Sequence, residues 1–483
     1  MNKKISTVLC QLTKFDWYCV FGFALLRFLA SFKYGLGSDE AHYATYAQFL
    51  DWSYFDHPPL VGWVEALFQA LFGRSEWAVR LPANLMGILV SILGFHISLK
   101  ISKDKMTATA VLIALNISFL LSGLSLMFLP DSLLFPLILW LFLILNHLIE
   151  RGQISDWIQL GICLGLCGLA KYTAALLLVS ILGLIVTEKL WKKFISFHCL
   201  MATLIAAVIV SPVFYWNYTH HWISFAYQTH HVLGADSLDV GVFIKSLVAQ
   251  VIAYSPFLVI ISICSLFMTA KVSNHFVRLG LWLILPGFLF FTWSGFGAFV
   301  LPHWTSYIYG LLIILGISTG FSHLKLKKWI QGSLIATALL FAALNIELIF
   351  NLVPYPAYQS PYADLTGWPE LHKDLIPILA QQKNKIALAV PDWVVGSRSY
   401  YYLSSLAPIF VLDERLDQFD LWEKESPSAY TDMIFINWRG FEFSAEQMKQ
   451  CTSTENLEKK VFIMNKKPVT SVEVTLCKGF HRL

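Results

Sequence analysis

Ser132-Leu133-Leu134-Phe135-Pro136-Leu137-Ile138-Leu139-Trp140-Leu141-Phe142-Leu143-Ile144-Leu145-Asn146-His147-Leu148-Ile149 contains no Asp, Glu, Lys or Arg, and Asp131 and Glu150 bracket it. A helix needs roughly 20 mostly apolar residues to cross a bilayer. Runs of this kind recur near residues 15–33, 81–99, 107–126, 157–170, 172–188, 197–215, 242–268, 276–293, 303–321 and 329–353. Eleven spans are therefore expected, the pair around Lys171 being short. The whole chain agrees. Of its 483 residues 57% are hydrophobic and 14% charged, with a mean hydropathy of +0.61, against about 45–50% and 25% in soluble domains. An ordinary soluble enzyme, a disordered protein and a secreted disulfide scaffold are excluded. The net charge of +4 is small and scattered, which excludes a nucleic-acid partner.

The charges that exist are concentrated at one end. Residues 354–483 hold 14 of the 35 Lys and Arg and 16 of the 31 Asp and Glu. Pro354 and Pro356 end the last apolar run, so a membrane domain (1–353) is expected to precede a water-soluble domain (354–483). The tail carries β-like runs at 386–390, 409–412, 433–437, 461–464 and 472–476, with helix-compatible stretches at 398–405 and 445–450, which predicts a small α/β cap. The first span lacks a small-residue cleavage site and reads as an uncleaved anchor. With the N-terminus inside, 15 loop cations fall on the inner ends of the spans and five (Lys33, Arg74, Arg80, Lys171, Lys245) on the outer ends. Positive charge favours the cytoplasmic side. An odd number of spans then places the tail outside, in the periplasm of a bacterial inner membrane. Loops 34–80 and 216–241 are long, external and rich in aromatics and His. Cys451 and Cys477 both lie in the tail, where an oxidising compartment permits a bridge.

Two motifs open the first external loop: Gly37-Ser38-Asp39-Glu40-Ala41-His42-Tyr43 and Tyr54-Phe55-Asp56-His57-Pro58-Pro59-Leu60. Acidic residues next to lipid headgroups are costly to desolvate and point to function, although Asp39 also suits a helix N-cap. Together these motifs resemble the first external loop of GT-C glycosyltransferases related to the protein O-mannosyltransferases, whose bacterial branch includes the lipid A aminoarabinose transferases. The likeness runs from residue 15 to about 320, and the tail adds only Asp364-Leu365-Thr366-Gly367-Trp368. It implies an inverting transferase that moves a sugar from a polyprenyl-phosphate donor to a hydroxyl of lipid A, a protein or a surface glycan. No nucleotide is implied, and the sequence holds no Gly-rich phosphate loop.

The resemblance assigns residues. Asp39 maps onto the catalytic base, with Glu40 and His42 expected to orient acceptor or sugar hydroxyls. Where the aminoarabinose branch has Glu-Lys before Pro-Pro, this chain has Asp56-His57. A His is a weaker phosphate partner than Lys, which argues against aminoarabinose as the donor sugar. Lys171, in Gly168-Leu169-Ala170-Lys171-Tyr172-Thr173, matches the lysine that binds the donor phosphate; a snorkelling lysine at a helix end is the plainer alternative. Asp131 is expected near the site or as the N-cap of the fourth span, and His303 in the donor groove or as an interface anchor. A divalent metal held by Asp56 with His231, or else His230, is implied by the family's metal pair; an ordinary interface belt of His and Trp explains those histidines equally. Asn217-Tyr218-Thr219 matches a glycosylation acceptor pattern. Rival classes are a lipid-linked sugar or polysaccharide transporter and a non-catalytic sensor. Transporters typically show paired repeats with interrupted helices, and no duplication is visible here.

Overall fold

A computed structural model describes residues 11–233, 238–269, 274–382, 384–423 and 425–481. The chain divides into two compact units. The membrane unit comprises residues 1–29, 52–61 and 80–345; the other, called the external unit after the side that the loop charges lead one to expect, comprises residues 30–51, 62–79 and 346–483. The first loop is thus shared out. Asp39 belongs with the tail, whereas Asp56 and His57 belong with the spans.

In the membrane unit every expected run falls on helix. Among the described residues five helices are long and apolar enough to cross a bilayer, including Pro130–Glu150 and Leu324–Phe350, and there are four shorter apolar helices, of which Leu60–Phe72 belongs mostly to the external unit. Pro130–Glu150 is mostly buried, while Leu324–Phe350 buries only Leu326, Ile330 and Thr337, as expected of a central and a lipid-facing helix. The run 242–268 is broken. Val240–Ala253 and Pro256–Thr269 meet at 98°, because Ser255 lies at φ +73° and Pro256 cannot donate a backbone hydrogen bond. The run 107–126 is interrupted as well, by an extended Ser118 between Lys105–Ile117 and Phe119–Leu124. The two breaks complete each other, since the Ser118 hydroxyl donates to the Tyr254 carbonyl at 3.1 Å. Small residues let helices approach closely. A Cβ on Gly316 would lie 2.4 Å from the Ser262 backbone, and one on Gly320 would strike Ser265.

The external unit is built on a five-stranded sheet in the order β2-β1-β3-β5-β4. The strands are β1 (Ile386–Val390), β2 (Ile409–Val411), β3 (Asp432–Trp438), β4 (Cys451–Met464) and β5 (Lys467–Phe480). β1 pairs in parallel with β2 and β3; β5 pairs antiparallel with β3 and β4. All five expected strands are present. The last two are far longer than their apolar cores, because they form one hairpin turned by Asn465 and Lys466, both at positive φ. The Asp364–Trp368 motif has a packing role: Trp368 is fully buried and stacks on Trp438 at 4.2 Å, and Gly367 (φ +102°) faces the Phe462 ring.

Cys451 and Cys477 are disulfide-bonded across the hairpin, 26 residues apart. A loop of that size stabilises by about 3–4 kcal/mol on chain-entropy grounds. Cys477→Ser should therefore lower the melting temperature of the external unit, read by its tryptophan fluorescence, and reduction of the wild type should lower it equally.

Candidate active site

Gly37 is the extended residue from which the Ser38–Tyr46 helix starts, and the Glu40 carboxylate turns back to accept the Gly37 N–H at 3.0 Å. The cap is therefore Gly37 with Glu40, not Asp39. Asp39 sits in the first turn, partly exposed, and among the described residues nothing hydrogen-bonds or ion-pairs with its carboxylate. One acid is consumed in starting the helix and the other is left available.

The rest of the helix is interior. Glu40 is fully buried and His42 nearly so. The His42 imidazole lies 3.1 Å from the Tyr46 hydroxyl and is ringed by Tyr43, Trp393, Phe419 and Trp422. Leu36, Ala41 and Ala44 pack on Val79 and Tyr401. Gln69, on the second loop helix (Leu60–Phe72), donates to the Ala44 carbonyl at 2.9 Å and to Glu65 at 3.0 Å. Burial holds the Glu65 carboxyl well above the usual carboxylate range. Asp417 starts the short Gln418–Trp422 helix by accepting from the Phe419 N–H at 2.7 Å. Burial pushes its carboxyl up to about 6, and that of Asp413, beside it, up to about 7.

In the membrane unit Lys171 ends the Ile154–Ala170 helix, and Asp131 stands in the first turn of Pro130–Glu150, whose N-cap is Leu129. The structure brings these two candidates together. Lys171 Nζ donates to Asp131 Oδ2 at 2.6 Å, and both residues are more than nine-tenths buried. Lys171 does not snorkel. Asp131 Oδ1 is buried with no hydrogen-bond partner among the described residues. Next in sequence, the Tyr172 hydroxyl faces Ser53 at 3.5 Å and accepts from Asn217 at 3.4 Å.

The Tyr54–Pro59 motif is locked beneath the Ile223–Leu233 helix. Ser224 donates to the Tyr54 carbonyl at 3.0 Å, Gln228 to the Asp56 carbonyl at 2.6 Å, and Phe55 packs on Tyr227. The Asp56 carboxylate faces His57 Nδ1 at 3.2 Å. Among the described residues no group of three His, Cys, Asp or Glu converges as a metal site would require. The side chains of His230 and His231 lie outside the described residues. His220 stacks on Trp216 of its own helix at 3.9 Å, and His303 occupies the single turn Pro302–Thr305.

Sequence reasoning missed Arg27. It is buried in the first span, donating to Asn116 at 2.9 Å and more weakly to Asn84. A lone arginine inside an apolar run was its available signal. Glu65, Gln69, Asp413 and Asp417 carried none, because their setting arises only on folding: the first two meet Ala44 and Glu40 across loop 1, and the last two are buried within the tail, Asp417 near His42.

The pattern of the dolichyl-phosphate-mannose-protein mannosyltransferase family matches residues 56–216. The lipopolysaccharide core galacturonosyltransferase RgtA of Rhizobium johnstonii is 27% identical over 189 residues, 38% of this chain and 37% of the relative. The undecaprenyl phosphate-alpha-4-amino-4-deoxy-L-arabinose arabinosyl transferase of Edwardsiella ictaluri is 29% identical over 174 residues, 34% of this chain and 30% of the relative. The matches thus span about a third of these relatives' length. Among solved structures, ArnT from Cupriavidus metallidurans superposes with a TM-score of 0.62 when bound to undecaprenyl phosphate, covering 95% of this chain and 98% of that one at 14% identity. Its apo state gives 0.64, with 93% and 96% covered at the same identity. The chain therefore has the fold of ArnT, and the resemblance drawn from the loop-1 motifs is borne out.

Two predictions follow from the buried charges. Asp131→Ala leaves Lys171 uncompensated and should cost about 3–5 kcal/mol; adding Lys171→Met should recover folding, read as monodisperse protein in detergent, without recovering activity. Asp413 and Asp417 are raised from the ordinary 3.8, so between about pH 4 and 7 the folded external unit holds protons that the unfolded chain releases. The stability these two groups contribute is present at acid pH and lost as pH rises through that window. Asp413→Asn should raise the melting temperature at pH 8 more than at pH 5.

Proposed function

We propose that this multi-pass membrane protein is an inverting glycosyltransferase that moves a sugar from a polyprenyl-phosphate donor to an acceptor hydroxyl, with Asp39 as general base. The observation that carries this reading is the division of labour in the Ser38–Tyr46 helix: Glu40 caps it, and Asp39 keeps a carboxylate that no hydrogen bond or ion pair among the described residues engages. The relatives named as users of undecaprenyl-phosphate sugars or as lipopolysaccharide modifiers supply the substrate class. In the reaction the acceptor oxygen attacks the anomeric carbon as its proton passes to Asp39. The bond from that carbon to the phosphate oxygen breaks, and its electron pair leaves on the polyprenyl phosphate. The leaving group is already an anion-stabilising phosphate, so one base suffices.

The proposal assigns the donor phosphate to Lys171. An ammonium has three donors, and Asp131 takes one of them, leaving two for phosphate oxygens. The carboxylate also keeps the lysine charged and aimed before the donor arrives. A divalent ion at Asp56, completed by His231 or His230, belongs to the same proposal, but no step here runs through it. The excess of cations on the inner ends of the spans supports a bacterial inner-membrane location with the tail in the periplasm.

Asp39→Asn tests the assignment. Mass spectrometry of envelope lipids and exported proteins should show a sugar-sized mass in cells carrying the wild type, reduced by about 10²–10⁴-fold in the variant, while purified variant still binds undecaprenyl phosphate. Equal product from wild type and variant would remove Asp39 as the base and favour a transporter or a sensor.

A further inference from the structure

A cavity of about 130 Å³ opens within the external unit, one residue past the end of the last apolar helix, Leu324–Phe350. A single water needs roughly 10–15 Å³ on this measure, so the space suits a group near the size of a sugar ring. Its walls come from the segment after that helix and from the turn of the β4–β5 hairpin. Asn351, Tyr355, Ser360, Tyr362, Asn465 and Lys467 supply two phenol rings, two amides, a hydroxyl and an ammonium.

The rings are fixed. Tyr362 stacks on Tyr34 at 4.6 Å and meets Tyr355 edge-on at 6.3 Å. Tyr34 donates to the Asn351 side chain, and Asn465 donates to the Asn351 carbonyl, so the two walls are tied together. Lys467 donates to the Pro354 carbonyl at 3.3 Å, which leaves two further N–H groups on its exposed ammonium. The positive φ of Asn465 and Lys466 belongs to the hairpin turn and that of Asn351 to the end of the preceding helix, so the cavity lies where two regular chain reversals meet. Leu352, exposed, lines it as well, and Phe350 and Ile463, next in sequence to lining residues, are exposed apolar side chains.

The geometry points to a binding site for the phosphorylated saccharide headgroup of a membrane glycolipid. Phenol faces suit the C–H surface of a sugar, side-chain amides suit its hydroxyls, and Lys467 with neighbouring Lys466 suits a phosphate. The inference deepens the reading above and rests on it only in calling this glycolipid the acceptor.

Binding is measured by native mass spectrometry on the full chain in detergent, with lipid A as the phosphorylated saccharide probe and phosphatidylglycerol as a phosphate without sugar. Wild type should hold lipid A about tenfold more tightly than phosphatidylglycerol. Lys467→Glu and Tyr355→Ala should each weaken lipid A about tenfold, Lys467→Arg should restore it, and Asp39→Asn should bind as wild type. Lys467 is exposed at a hairpin turn, so its substitution leaves the fold intact. Unchanged lipid A binding in both cavity variants, or equal binding of the two probes by wild type, would overturn the site. Cavity-dependent binding in a protein that transfers no sugar would retain the site and reject the transferase reading instead.

Discussion

Hydrocarbon offers no water to complete a broken helix, so each irregularity within the spans must find its hydrogen bonds in the protein. The membrane unit meets this demand with small hydroxyl side chains at the breaks. Ser118 serves the Tyr254 carbonyl, Ser255 meets Thr337 at 2.7 Å, and Tyr254 reaches the Pro302 carbonyl at 2.6 Å. Ser132 closes the turn before its own helix through the Leu124 carbonyl. These bonds let non-helical backbone persist beside Asp131. The Asp131–Lys171 pair depends on that order, because two desolvated charges are tolerable only where geometry is fixed.

The external unit solves a different problem. Asp39 must be held steadily while remaining open, and the surrounding residues divide those tasks. Glu40 starts its helix, Gln69 grips the helix at Ala44, and Tyr402 accepts the Leu36 N–H at 2.9 Å while donating to Glu76 at 3.0 Å. The helix bearing the proposed base is thereby bonded at both of its ends by groups from elsewhere in the unit.

Much of this was legible in the sequence, and the exceptions have physical causes. Apolar runs are legible by length and composition, so all eleven fall on helix, although among the described residues only five of those helices are long and apolar enough to cross a bilayer. Their breaks were less visible: Pro256 hinted at one, whereas Ser118 looks like any small residue. Asp39 stood out by its neighbours in sequence. The Asp131–Lys171 contact joins residues 40 apart, a pairing that no local pattern encodes. Asp413 and Asp417 read as ordinary surface acids, since their burial arises only in the folded unit, where Asp417 comes near His42 of loop 1. The lengths of β4 and β5 were missed for a related reason: much of β4 is exposed and lacks the apolar alternation that marks a strand.

The division of the external unit into three stretches of chain, 30–51, 62–79 and 346–483, has a consequence for biosynthesis. The ribosome makes the two loop-1 stretches some 270 residues before the tail begins. During that interval Leu36, Ala41 and Val79 have no Tyr401 to pack against, and the helix carrying Asp39 lacks its final partners. The proposed activity, which rests on Asp39, should therefore appear only after the last strand is synthesised. The same interleaving restricts recombination between relatives. A tail exchanged alone would arrive without its matching loop, so the three stretches must be inherited together.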